Sequence, residues 1–232
     1  PVGTNNVALG NAALDDASLT GANNVAVGTN SLTANTSGAD NTSVGQGSLA
    51  KNTTGTSGVG IGAGALNDNT TGNNNVAIGR SALESNTTAD NNTAVGYQAG
   101  YTNATGSPIT ALGYRALFLN TASDNTAVGY STLQQNSSGS GNTGLGHMSL
   151  HNNTTASANT AVGYQAAYSN TTAAGTTAIG YQALLDVTTG SYNTGIGRSA
   201  GQNITTGVRN LALQPFSLQT LTTGNDNIAI GY

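Results

Sequence analysis

A seventeen-residue repeat runs through this chain from one end to the other, centred on a short motif in which two branched residues flank a small one ahead of a glycine, as in Val76-Ala77-Ile78-Gly79. Aligned on the last position, the copies fall at Gly10, Gly28, Gly45, Gly62, Gly79, Gly96, Gly113, Gly129, Gly146, Gly163, Gly180, Gly197, Gln214 and Gly231. The steps are one of eighteen residues, five of seventeen, one of sixteen and six more of seventeen. A unit this short cannot bury an apolar face alone, so fourteen of them in series predict a solenoid in which each copy stacks on the next.

The columns of the alignment state what each coil needs at the same height. The residue before the glycine is branched and aliphatic in every copy, Val27, Ile61, Ile78, Val95, Val128, Val162, Ile179 and Ile196 among them. The residue before that is only Ala, Ser or Gly. Four residues past the glycine stands Leu, as at Leu66, Leu83, Leu117 and Leu184, with Gly100, Ala167 and Gly201 as exceptions. The aliphatic and leucine columns are the expected core, and the glycines the expected turn.

Repeats of this length have no room for a helix in each copy, and branched residues with glycine punctuation favour a strand and a tight turn. The pattern predicts one strand ending at the motif, a turn through the glycine, a second short strand through the leucine, and a polar loop such as Asn69-Thr70-Thr71-Gly72-Asn73 closing the coil. Successive copies then pair in parallel about 4.8 Å apart, giving a rod on the order of 65 Å long. The expected fold class is all-β, a parallel β-solenoid of about fourteen seventeen-residue coils in a single repeat domain spanning 1–232.

Composition narrows the function. Charged residues make up 6% of the chain, against roughly 25% in an ordinary globular domain. The net charge of −4 does not suit a nucleic-acid partner. No run approaches the roughly 20 apolar residues of a membrane span, and no membrane insertion by this segment is expected. Cysteine is absent, which removes disulfides and thiolate metal sites and fits an extracellular rod held by ladders. Both ends fall inside a repeat, which predicts a segment of a longer fibrous protein. Asn, Thr, Gly, Ser and Ala dominate, as in many disordered tracts, but disorder has no reason to hold an aliphatic residue at one column throughout.

Strand geometry predicts a partner. Residues two apart share a face, so Val76 and Ile78 point one way and Ala77 the other, and both faces lack charge in nearly every copy. One face looks into the narrow coil and the other needs a cover. A parallel bundle of identical chains, closed cyclically, supplies one. On this reading Ile78→Asp places a charge in a buried column, and Thr87→Asp in the loop is tolerated.

The polar columns read as structure. Asn recurs four residues before the glycine (Asn24, Asn92, Asn159, Asn227) and seven after it (Asn35, Asn86, Asn170), where stacked amides can bond from coil to coil. Segments such as Asn52-Thr53-Thr54 and Asn86-Thr87-Thr88 match the glycosylation acceptor pattern, as composition alone produces. Directly after the glycine, tyrosine recurs at Tyr97, Tyr114, Tyr130, Tyr164, Tyr181 and Tyr232; the column packs at a corner or docks sugars or another surface.

Chemistry is otherwise sparse, and neither an enzyme nor a cofactor is expected. His147 and His151 straddle a turn and do not share a helical face, so they form no metal or catalytic pair. Asp40, Asp90, Asp124 and Asp226 lack the clustered Asp-Gly signature of calcium rolls. Gly58, Gly60, Gly62 and Gly64 are spaced by two with no helix after them, unlike a phosphate loop.

Three segments carry a likeness: Asn74-Asn75-Val76-Ala77-Ile78-Gly79, Asn92-Thr93-Ala94-Val95-Gly96-Tyr97-Gln98-Ala99 and Asn159-Thr160-Ala161-Val162-Gly163-Tyr164-Gln165-Ala166. They resemble the head repeats of trimeric autotransporter adhesins of the YadA type, and equally the repeat shafts of phage tail fibres that end in an endosialidase-type intramolecular chaperone. The resemblance implies a left-handed parallel β-roll in a homotrimer exposed on a cell surface or virion. The expected function is the shaft or head of an extracellular fibre that attaches to a host-surface glycan or protein receptor. The alternatives are a self-assembling extracellular filament and, in another class, an ice-binding protein using the threonine column Thr93, Thr110, Thr126, Thr143, Thr160, Thr177 and Thr194.

Overall fold

The structure, a computed structural model, describes residues 4–231. It is all-β, a parallel β-solenoid with one short strand per coil, about seventeen residues apart, and no helix among the described residues. The coils fall into two compact units, Pro1–Arg115 and Ala116–Tyr232. The division lies in the one coil of sixteen residues, between Gly113 and Gly129.

The first unit carries β1 (Val7–Leu9), β2 (Val25–Val27), β3 (Thr42–Val44), β4 (Val59–Ile61), β5 (Val76–Ile78), β6 (Thr93–Val95) and β7 (Ile109–Leu112). Each pairs in parallel with the next and in register, so that Ala77 lies beside Ala94 and Ile78 beside Val95. The second unit repeats the arrangement with β8 (Asn125–Val128), β9 (Thr143–Leu145), β10 (Thr160–Val162), β11 (Thr177–Ile179), β12 (Thr194–Ile196), β13 (Leu211–Leu213) and β14 (Ile228–Ile230). There Ala161 lies beside Ala178 and Val162 beside Ile179.

The glycine turn is as expected. Gly28, Gly45, Gly62, Gly79, Gly96, Gly113, Gly129, Gly146, Gly163, Gly180 and Gly197 all have φ between +130° and +137°. A Cβ on Gly79 would stand 2.5 Å from the Gly96 carbonyl oxygen, so the turn excludes a side chain both by its backbone angles and by the coil above.

Past the glycine the chain departs from expectation. No second strand runs through the leucine; Ser81 and Leu83 instead take left-handed conformations with φ of 57° and 48°. Such residues cost about 1–2 kcal/mol each, but a narrow coil must reverse within a few residues, and burying the leucine returns about 1.5–3 kcal/mol. The turn is still laddered from coil to coil, Leu66 N–H donating to Ala82 O and Leu83 N–H to Ala99 O, both at 3.0 Å.

The interior is narrower than the sequence pattern suggests. Leu66, Leu83, Leu117 and Leu184 are fully buried, as expected. The aliphatic column beside the glycine is not in the interior of the single chain. Ile61, Ile78, Val95, Ile179 and Ile196 are exposed, and Val27, Val128 and Val162 are half-buried. It is the small column, Ala26, Ala77, Ala94, Ala127, Ala161 and Ala178, that points inward at zero exposure. The physical reason is space. In that column a Cβ on Gly60 would already lie 2.5 Å from Ser48 Oγ, and one on Gly195 2.8 Å from Leu184 Cγ. A coil that holds one leucine and two amides has room opposite them for a methyl or, at Ser43, a hydroxymethyl that donates to Ser48 O at 2.8 Å, and for no branched side chain.

Those amides form two buried ladders. Asn52, Asn69 and Asn86 each donate from Nδ2 to the Oδ1 of the asparagine one coil earlier, at 2.8–2.9 Å. Each also donates to the carbonyl three residues on, that of Gly55, Gly72 or Ala89. In the other column Asn24 Oδ1 accepts from both the N–H and the Nδ2 of Asn41, and Asn193 and Asn210 repeat the arrangement in the second unit. Buried amides are tolerable only when paired, and here the repeat itself supplies the partner. The pairing is incomplete at two places: at Thr176, which stands where its neighbours carry Asn, the hydroxyl has no partner, nor does Asn159 Nδ2 in the coil before, and Asn153 Oδ1 is unpaired although Asn170 follows it in the column. Thr87 is not a free loop position. It is half-buried and its hydroxyl donates to Ala104 O at 3.2 Å.

Candidate functional site

With the interior closed by leucine, alanine and asparagine, whatever this chain recognises must meet its outer surface. Each unit presents an apolar strand face. On β5 the outward residues are Val76 and Ile78, and on β6 Thr93 and Val95; Ile78 and Val95 are each 37% exposed, Ile61 38% and Leu145 46%. In-register pairing aligns these residues into columns one coil apart. The inward reading of this column is wrong for the isolated coil, but the inference that one strand face lacks a cover stands, with the two sides exchanged. The threonines Thr93, Thr110, Thr126, Thr143, Thr160, Thr177 and Thr194 stand on this same outward face, two residues before the aliphatic position.

The tyrosine column forms stacks. In the first unit Tyr97 and Tyr114 lie with ring centroids 5.5 Å apart and planes within 15°, and the Arg115 guanidinium is 5.4 Å from the Tyr114 centroid. In the second unit Tyr130, His147, Tyr164 and Tyr181 stack continuously at 5.0–5.2 Å with planes within 10°, and Arg198 sits 5.7 Å from the Tyr181 centroid. Parallel strands at coil spacing impose this geometry. His147 and Tyr164 lend both faces to their neighbours and keep edges for solvent. Rings inside the stack therefore offer sugars no open aromatic face. Tyr232 lies outside the described residues.

His147 belongs to this stack, while His151 stacks on Tyr168 at 5.2 Å and its Nδ1 lies 2.8 Å from Asn152 Oδ1. The two histidines thus join separate columns. Among the described residues no three His, Cys, Asp or Glu side chains gather around a point that could hold a metal ion. The aspartates stabilise loops: Asp40 accepts from Asn23 Nδ2 at 3.1 Å, Asp90 from Asn73 N–H at 2.5 Å, and Asp226 pairs with Arg209 at 2.6 Å. The Arg209 guanidinium holds the exposed Asp226 carboxyl below the usual carboxylate range.

The acceptor-like asparagines are interior. Asn52 and Asn86 are fully buried with both amide hydrogens engaged, so a folded coil offers them to no glycosyl transferase. The hydroxyls two residues on, Thr54 and Thr88, are exposed.

No helix among the described residues is long and apolar enough to cross a membrane. No protein-family model matches the chain, and no curated protein or solved structure is significantly similar to it.

Proposed function

We propose that the chain is a structural and binding protein: the repetitive shaft or head of an extracellular fibre, on a cell surface or virion, built from three parallel copies and serving attachment to a host or surface. The observation that carries this reading is the uncovered column of Ile61, Ile78 and Val95 in one unit and Leu145, Ile179 and Ile196 in the other. Soluble monomers rarely leave contiguous apolar stripes open, and a column with the same height in every coil is matched by itself. Copies running parallel about a common axis bring identical residues together at each level, which is the closed symmetry that homo-oligomers favour. The resemblance of the motif to adhesin and tail-fibre repeats points the same way. Attachment then works by many weak contacts along a stiff array, where avidity replaces single-site affinity. Light scattering across a concentration series tests the assembly: a constant trimer mass supports the fibre, open-ended growth supports a filament, and a stable monomer removes the reading.

A second reading rests on the outward placement of the threonines. An aligned, uncharged face of Thr and Val or Ile, repeated at coil spacing, suits the ordering of water in an ice-binding protein. It requires the face to be open in solution, whereas the fibre requires it to be covered. Thermal hysteresis in a sample of known oligomeric mass separates the two.

A further inference from the structure

The first unit carries a break in its outer surface. In the coils that turn at Gly45 and Gly62, the next two residues are Gln46-Gly47 and Ala63-Gly64, where the coils at Gly96 and Gly113 carry Tyr97-Gln98 and Tyr114-Arg115. The missing side chains leave an open hollow of about 370 Å³, at the small end of the roughly 300–1,000 Å³ of ligand sites. The small residues Gly47, Ala63 and Gly64 line it together with the polar Asn30, Gln46, Asn67 and Arg80.

The backbone at Gly64 is left-handed, but equivalent turns of this fold carry side chains in that conformation. Gly64 has φ +71° where the equivalent Gln98 has +53°, and a Cβ on Gly64 would meet only ordinary contacts, at 3.5 Å from Ser81 Oγ and Glu84 Oε2. The hollow is therefore space the fold permits to be filled and this sequence leaves open.

We propose that this hollow binds a carboxylate-bearing pyranose, such as the acidic unit of a surface polysaccharide, with the carboxylate on Arg80. The inference rests on the attachment reading and names the ligand chemistry for it. Arg80 is exposed and pairs with no carboxylate among the described residues, whose ion pairs are Lys51–Asp68 and Arg209–Asp226. A planar guanidinium matches a carboxylate through two parallel hydrogen bonds. The side-chain amides of Asn30 and Gln46 offer both donors and acceptors, the pairing that ring hydroxyls require. Asn67 is held in place, its Nδ2 donating to Gly47 O at 2.8 Å, which leaves its Oδ1 to accept. The Glu84 carboxylate, 3.5 Å from where a Cβ on Gly64 would stand, can accept from a further hydroxyl; it repels any anion, a dianion more strongly than a carboxylate. The open, polar form of the hollow gives an apolar ligand little to gain.

Saturation-transfer NMR on the full chain tests this with D-glucuronate, D-galacturonate and N-acetylneuraminate, each at millimolar concentration, against D-glucose. At least one acid sugar is expected to bind and glucose to bind at least about tenfold more weakly, with Arg80→Gln lowering the acid's affinity by about tenfold or more. The double variant Ala63→Tyr/Gly64→Gln fills the hollow with the pair that the fold accepts at Tyr97-Gln98, so it should abolish binding while the folded circular-dichroism signal is kept. Silence from all three acids, equal binding of glucose, or unchanged binding by the filled variant overturns the proposal. The oligomeric mass of the same samples judges the fibre reading separately.

Discussion

Ile204 fills the space that Gly201 leaves, its Cδ1 lying 3.0 Å from the point where a Cβ on Gly201 would stand. Gly201 occupies the leucine column and Ile204 the asparagine column, so this coil has exchanged an amide for the missing aliphatic group. The first unit fills its gap differently: Asn103 is kept, and Ile109, which replaces the asparagine four residues before the next turn glycine, brings its Cδ1 to 3.3 Å from the corresponding point on Gly100. Gly201→Leu alone should overpack the coil and lower the melting temperature, whereas Gly201→Leu with Ile204→Asn recreates the usual pattern and recovers stability. A double-mutant cycle by thermal denaturation should return a favourable coupling of about 0.5–3 kcal/mol; additive effects contradict the exchange.

Neighbouring residues on β5 should respond in opposite ways. Ala77→Asp places an unpaired carboxylate in a sealed interior and should abolish the folded circular-dichroism signal. Ile78→Asp should leave the coil folded and reduce the oligomeric mass. Circular dichroism and light scattering on both variants check this; unfolding by Ile78→Asp with tolerance at Ala77 returns the aliphatic column to the interior.

Thr176→Asn should stabilise the second unit. It replaces a buried hydroxyl without a partner by the residue its column prefers, within reach of Asn159 Oδ1, which already accepts the Thr176 N–H at 2.8 Å. Removing such an orphan is worth about 1–3 kcal/mol, and about 1 kcal/mol raises Tm by roughly 2–4 °C in a chain of this size. Differential scanning calorimetry reads the shift, and an unchanged or lower Tm contradicts the ladder account.

Asp186 gives stability a small dependence on pH. Burial raises its carboxyl above the ordinary value, so the folded state disfavours the charged form. The cost is fully present above the folded pKa and disappears as pH falls below the unfolded value of about 3.9. Asp186→Asn should therefore stabilise the protein at neutral pH and give no gain well below the unfolded value. Denaturant titrations at the two pH values check the sign.

Much of this architecture is legible in the sequence, because a repeat states each requirement many times. The glycine column announces the turn, the leucines the interior, and the asparagines their ladders. The strand's alternation separates two faces without saying which is inside, and branched residues such as Ile78 are drawn to the core by size alone. The opposing signal is the unbroken smallness of the Ala77 column, which marks the narrow side. The left-handed turn at Leu83 is hidden because leucine ordinarily avoids positive φ; glycine at Gly100 and Gly201 in the same column is the trace it leaves. The stacking of Tyr130, His147 and Tyr164 follows from register, which is why the tyrosine column packs ring on ring along the coils. The hollow beside Arg80 is readable only as an absence of side chains at Ala63 and Gly64.

The chain contains no cysteine, so Ile78→Cys introduces a single thiol on the outward strand face, and Thr88→Cys a single thiol on an exposed loop. Cross-linking both variants with a short bis-maleimide, followed by mass determination under denaturing conditions, asks directly whether identical strand faces meet. The account predicts covalent multimers from Ile78→Cys and single chains from Thr88→Cys. Single chains from both, with Ile78→Cys labelled as fast as Thr88→Cys, contradict it.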